Sequence, residues 1–194
     1  MLFRSAVNNT CPSSRTPVTL GEPISAAGSL NAIVSKISPS VVTINVTTPS
    51  GGGTGSGSIF RTTSTFSYVV TNNHVIEGAV GGAGTISVEL DNGDSVPATI
   101  VGREANYDLA VVKINAGNLP TINLGDSTKL TVGDPVMAVG SPLGLASTVT
   151  TGIISALNRP VSAGSVGQES FVNAIQTDAA INPGNSGGAL INAQ

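Results

Sequence analysis

The sequence predicts an all-β chain folded as two antiparallel units, and three features carry that prediction. Short β-rich runs follow one another from residue 41 onward, cut apart by glycine and proline, of which there are 24 and 11 in 194 residues. Only 10% of the residues are charged, too few for long solvated helices. Ile86, Val88 and Leu90 alternate with Ser87 and Glu89, Asp91-Asn92-Gly93-Asp94 follows, and Val96, Ala98 and Ile100 alternate again. That pattern reads as a β-hairpin, with Asn-Gly supplying the positive φ values of a tight turn.

Residues 1–28 are polar, hold Pro12, Pro17 and Pro23 and show no period, so an arm or linker is expected there. Leu30, Ile33, Val34 and Ile37 then recur at helical spacing, with Ser29 placed to cap and Pro39 to stop one short helix over 29–38. Strands are expected at 41–46, 58–61, 68–71, 85–90, 95–101, 109–114, 135–139, 148–156 and 171–176. Residues 116–120 lack strand character and divide a first unit, 29–117, from a second, 118–194. The glycine-rich run 51–57 has neither a Gly-Lys-Ser/Thr ending nor a following helix, so it is no phosphate cradle and is expected to be a flexible connection.

Composition narrows the function classes. Hydrophobic residues, at 40%, suffice for a packed core. Eight basic residues against 11 acidic ones, with 3% aromatics, do not make a nucleic-acid surface. One cysteine, Cys11, and one histidine, His74, build neither an internal disulfide nor a zinc site, and no loop carries regularly spaced carboxylates, so no metal or other cofactor is expected. No apolar run is long enough to span a bilayer as a helix, and Met1-Leu2-Phe3-Arg4-Ser5 does not lead into the apolar stretch of a signal peptide.

The chemistry concentrates in three places. Gly184-Asn185-Ser186-Gly187-Gly188 sets a serine between glycines. Such a backbone can turn the N–H groups of Gly184 and Ser186 toward one point, where they would hold an oxyanion. A serine hydroxyl needs a base, and His74, after the strand 68–71, is the one histidine. Asp108, at the head of the run 109–114, is the candidate carboxylate to orient it. Gly184-x-Ser186-x-Gly188 also fits the nucleophile elbow of α/β-hydrolases, but those run serine, acid, histidine on alternating strands and helices. Here the order is histidine, aspartate, serine on an all-β chain, the order of the chymotrypsin-like template.

Thr71-Asn72-Asn73-His74-Val75, the run from Asp108 to Ile114, and the stretch from Gln176 to Leu190 together resemble the protease domain of the HtrA/DegP serine proteases, over roughly residues 28–194. The resemblance implies the trypsin-like fold of two Greek-key antiparallel β-barrels. It also implies a catalytic triad of His74, Asp108 and Ser186, and an oxyanion hole from the N–H groups of Gly184 and Ser186. Asn185 stands where zymogen-type relatives carry an aspartate that pairs with a new N-terminus, so activation would come from ordering of residues 181–185 instead. Ala180 stands where trypsin-like arginine and lysine specificity calls for a carboxylate, so with Ile181 it implies a pocket for small aliphatic side chains.

The family continues beyond the point where this sequence stops, so an incomplete second barrel is expected, with Val139, Ile153 and Ile175 left uncovered. Family members act on misfolded or unfolded proteins in the bacterial periplasm or cell envelope, often as homotrimers. The alternative is a non-catalytic, protease-like chaperone or peptide-binding module.

Overall fold

The computed structural model describes residues 30–141, 148–163 and 170–192. The expected arm over 1–28 and the Ser29 cap lie outside the described residues. Helix α1 (Leu30–Ile37) leads through a 3₁₀ turn at Ser38–Ser40, with Pro39 at its start, into β1 (Val41–Thr48). The strands β2 (Gly51–Thr62), β3 (Ser67–Thr71), β4 (Thr85–Glu89), β5 (Ser95–Glu104) and β6 (Leu109–Ile114) close with β1 into a barrel of order β1-β2-β3-β6-β5-β4. The strands β7 (Pro135–Gly140), β8 (Thr148–Ala163), β9 (Ser170–Thr177) and β10 (Ala189–Asn192) form an open antiparallel sheet of order β10-β7-β8-β9. A closed six-stranded barrel beside a partial second sheet is the architecture the sequence implied.

Strand alternation explains how the two units share a wall. Along β1, Val42, Ile44 and Val46 point into the barrel with Ile59, Val69, Ile76, Val88, Val112 and Ile114. The alternate residue Val41 packs outward against Met137 and Val139 of β7, and Thr43, also on that face, donates its hydroxyl to the carbonyl of Ser141 at 2.7 Å. One strand therefore serves two cores. Ile33, Val34 and Ile37 of α1 cover the second cluster together with Val149 and Ile191, whereas Leu30, the first residue of the expected stripe, is 54% exposed. Val139, expected to be uncovered, is buried under this helix and β10; Ile153 is exposed as expected, and Ile175 is half-buried.

The run 51–57 differs from its expectation: it is strand, paired residue for residue with β1 from Gly51↔Thr48 to Gly57↔Val42. Two of its glycines, Gly55 and Gly57, are set by side-chain packing, whereas a Cβ on Gly51 or Gly53 would meet nothing. A Cβ on Gly57 would strike Val69 and Ile44, and one on Gly55 would strike Val75. The β4–β5 hairpin forms, but only Gly93 takes a positive φ, of 86°, closing a turn in which its N–H donates to Leu90 O at 2.8 Å. Asn92 is occupied elsewhere, bonded through its side chain to Asp94. After β6, the N–H groups of Asn118 and Ile122 donate to Thr63 O and Ile59 O, so the segment toward the second sheet first runs along the barrel.

Candidate active site

The register of the barrel brings His74 to Asp108. β3 and β6 are antiparallel with Thr71 opposite Ala110, so residues just after 71 meet residues just before 110. The chain leaving β3 turns into the single-turn helix α2 (Asn73–Ile76), anchored by Ile76, which is buried in the barrel core. The N–H of Asn73 and the side-chain amide of Asn72 both donate to the carbonyl of Asp108, at 3.1 and 2.8 Å. Arg103 Nη1 donates to Asn73 Oδ1 at 3.0 Å and holds the turn from β5.

Asp108 is held from both sides. It takes the left-handed conformation, φ 51° and ψ 43°, which costs a non-glycine residue roughly 1–2 kcal/mol and which aspartate tolerates better than most. Its N–H closes the 3₁₀ turn of Ala105–Tyr107 on Ala105 O, and Glu104 Oε1 caps the same turn on the N–H of Asn106. The carboxylate then points at His74. Its Oδ1 accepts the His74 backbone N–H at 2.8 Å and its Oδ2 faces ring Nδ1 at 2.7 Å. A carboxylate is an acceptor, so Nδ1 carries the proton and Nε2 of the neutral ring is left as a base. The His74 side chain is half exposed while that of Asp108 is 16% exposed, so the base faces solvent and its partner does not.

Ser186 approaches from the second unit. Gly184 and Gly187 on either side of it take positive φ values of 96° and 84°. A Cβ on Gly187 would meet Ser56 O and Thr71 Oγ1, and one on Gly188 would meet Val139 O, so the loop is wedged between the barrel and β7. Ser56 N–H donates to Ser186 O at 2.8 Å, and Gly55 lies between that same carbonyl and Val75, the neighbour of His74. The serine thus stands beside α2, yet no hydrogen bond joins its Oγ to the His74 ring among the described residues. Among those residues, too, the N–H groups of Gly184 and Ser186 have no acceptor, whereas those of Asn185 and Gly188 close turns on Asn182 O and Asn185 O. Asn185 is buried, and its side-chain Oδ1 and Nδ2 have no partner among the described residues.

The expected pocket residues lie on the next turn. Asp178 Oδ1 accepts the N–H of Ile153, Ala179 packs onto Gly152, and Thr150 Oγ1 donates to Ala180 O at 2.9 Å. The side chains of Ala180 and Ile181 are open to solvent. Among the described residues no group of histidine, cysteine, aspartate and glutamate is placed to hold a metal ion, and no helix is long and apolar enough to cross a membrane.

Sequence reasoning missed Ser56, Thr71, Asn72 and Arg103 as supports. Their signal lies in contacts distant along the chain, which no local pattern records; the visible traces are the alternation Gly55-Ser56-Gly57 and the place of Thr71 and Asn72 in the stretch around His74.

A family described as trypsin-like peptidase domain matches residues 55–194. The serine protease PepD of Mycobacterium tuberculosis is 47% identical over an alignment of 173 residues that covers 85% of this chain and 37% of that protein. A protein of Halomonas elongata named "Probable periplasmic serine endoprotease DegP-like" is 50% identical over 125 residues, 64% of this chain and 24% of that protein. Among solved structures, the HtrA-type protease AlgW with a tripeptide is 42% identical with a TM-score of 0.71, over 85% of this chain and 51% of that one. The chain spans about a third or less of the length of these two curated relatives.

Proposed function

The chain belongs to the trypsin-like peptidase family, its relatives there are HtrA-type serine proteases, and from that premise we propose that it is the catalytic part of a serine endopeptidase acting on unfolded or misfolded proteins. One observation carries the reading: His74 Nδ1 lies 2.7 Å from Asp108 Oδ2, with the second carboxylate oxygen fixed on the His74 N–H, beside a glycine-flanked serine. Nothing in a stable barrel requires that pairing at a half-exposed histidine.

Ser186 Oγ attacks the scissile carbonyl carbon while His74 Nε2 takes its proton, and Asp108 stabilises the imidazolium that forms. The carbonyl oxygen becomes an oxyanion held by the N–H groups of Gly184 and Ser186. Collapse of that intermediate breaks the C–N bond, and His74 gives its proton to the leaving amine. Water, deprotonated by His74, then hydrolyses the acyl ester on Ser186.

Ala180 and Ile181 form part of the pocket for the residue before the cut, and neither offers a counter-charge to arginine or lysine, so small aliphatic side chains are preferred. The name of the Halomonas elongata relative supports a place in the bacterial envelope, and the resemblance to HtrA/DegP proteases supports a homotrimer. Labelling by an active-serine phosphonate tests the reading: Ser186 should be modified and Ser186→Ala should not. Peptides with Val, Ala or Ile before the cut should be cleaved at least about tenfold better than those with Arg, a ratio within reach of one pocket contact. An unlabelled Ser186 in a protein that still binds unfolded peptides would establish the non-catalytic module instead.

A further inference from the structure

The glycine-rich strand β2 carries a polar side chain that the proposed mechanism does not use. Ser56 is fully buried, and each of its polar atoms is bonded to a part of the site or its supports. Its N–H donates to Ser186 O at 2.8 Å, and its Oγ–H donates to Gly184 O at 2.6 Å. The same Oγ accepts the N–H of Ser141, at the end of β7, at 2.8 Å. Its carbonyl accepts the hydroxyl of Thr71 at 2.7 Å, and that oxygen also occupies the place of a Cβ on Gly187.

These bonds fall on alternate peptide units of the nucleophile loop. Peptide units are planar, so fixing a carbonyl fixes the N–H across from it. The unit joining Gly184 to Asn185 and the unit joining Ser186 to Gly187 are both held by Ser56. Between them lies the unit that carries the Ser186 N–H. Gly184 has the free backbone rotation of a glycine, so without an outside anchor its carbonyl could turn toward the point where an oxyanion forms. An acceptor there would repel the charge that the neighbouring N–H groups are meant to hold.

We propose that Ser56 is a positioning residue: acting from the first barrel, it orients the Gly184–Gly188 backbone so that N–H groups, not carbonyls, face the oxyanion. The proposal rests on Ser186 being the nucleophile. Glycines at 55 and 57 belong to the same device, because larger residues would drive β2 away from Val75, Val69 and Ile44 and carry Ser56 with it.

The test uses the full chain and counts competent sites by endpoint labelling with the phosphonate, so that unfolded molecules drop out of the rate. Ser56→Ala should lower kcat per labelled site by about 10- to 100-fold, up to the loss that a displacement of about 1 Å produces, with KM changing by less than about threefold. Affinity for a peptide boronate, which mimics the tetrahedral intermediate, should fall by the same factor as kcat/KM. Ser56→Cys, with its weak S–H donor, should fall between Ser56→Ala and the parent, and it remains informative if the alanine variant does not fold.

Ser67→Ala is the control for a structural role. Ser67 is a fully buried serine of the same barrel whose hydroxyl donates to Ala116 O at 2.6 Å, at the opposite end of β3. It should lower thermal stability and leave kcat per labelled site unchanged. A Ser56→Ala enzyme with parental kcat per site, or a Ser67→Ala enzyme that loses as much, would overturn the proposal. If Ser186→Ala still hydrolyses peptides, the catalytic reading beneath it falls too, a result that the Ser56 variants alone cannot produce.

Discussion

The barrel that carries His74 and Asp108 and the sheet that carries Ser186 are built on different terms. Ile44, Ile59, Val69, Ile76, Val88, Val112 and Ile114 are all fully buried inside the closed barrel, and burial of each such side chain contributes roughly 1.5–3 kcal/mol. The second cluster of buried residues is Met137 and Val139 resting on Val41, a residue of the first barrel, under the helix α1. The two halves of the site inherit this difference. His74 follows β3 and Asp108 precedes β6, adjoining strands of one barrel, and the two bond to each other. The loop of Ser186 is held by bonds reaching across from Ser56. The proposed base is therefore organised by its own unit, while the proposed nucleophile and oxyanion donors depend on the contact between units.

The largest effect should come from breaking either half outright. His74→Ala or Ser186→Ala should each lower kcat by about 10⁴- to 10⁶-fold, and the double variant should be little worse than either, because both disable one proton-coupled attack. Asp108→Asn should cost about 10⁴-fold while the barrel stays folded, since an amide facing Nδ1 leaves the ring in the wrong tautomer. Losses that add across the double variant would mean that the two halves do not act as one site.

A matched pair of glycines isolates the contact between units. Gly187 and Gly133 have similar positive φ values, 84° and 99°, so alanine at either is strained in the same way, at roughly 1–2 kcal/mol. A Cβ on Gly133 meets nothing, while one on Gly187 runs into Ser56 O and Thr71 Oγ1. Gly187→Ala should therefore lower kcat about 10²-fold through displacement of Ser186, and Gly133→Ala should lower only the melting temperature. Equal kinetic effects would remove the case for a loop positioned from the barrel.

How far each half was legible in the sequence follows the same line. The strand Leu109–Ile114 is an apolar run broken only by Lys113, and its ends match the expectation; the structure buries Ala110, Val112 and Ile114 in alternation. The order of histidine, aspartate and serine named the residues that could act together, and the β3–β6 register accounts for the first pair. The run 51–57 is strand and not a flexible connection because Gly55 and Gly57 report close packing in the fold, which a local reading of glycine takes for conformational freedom. Helix α2 is one turn long and β10 four residues, too short for either period to show. The bonds of Ser56 to Gly184 and Ser141 span 128 and 85 residues, a distance over which local pattern carries no information.

The smallest effect should come from the turn that precedes β7, whose bonds run within the turn and, through Gly133 N–H and Asp134 O, to Ile154 of β8. Asp134 accepts the backbone N–H of Thr131 at 2.8 Å and its hydroxyl at 2.7 Å, and these two bonds, the backbone one foremost, hold its carboxyl below the ordinary aspartate value of 3.8. A carboxyl whose folded value is lowered stabilises the fold above its unfolded value, and that contribution is lost as pH falls through the folded one. Thr131→Val keeps the backbone bond and removes the hydroxyl, so the Asp134 carboxyl resonance should titrate at a higher pH, still short of 3.8. Because the group is fully exposed, the melting temperature near neutrality should barely move, and the difference between variant and parent should be confined to the acid range. Activity should not change at all, since no bond of this turn reaches Ser56 or the loop 184–188. A loss of kcat in Thr131→Val would show that strain in a peripheral turn of the second unit is transmitted to Ser186, and that the bonds from Ser56 do not isolate the nucleophile from its own sheet.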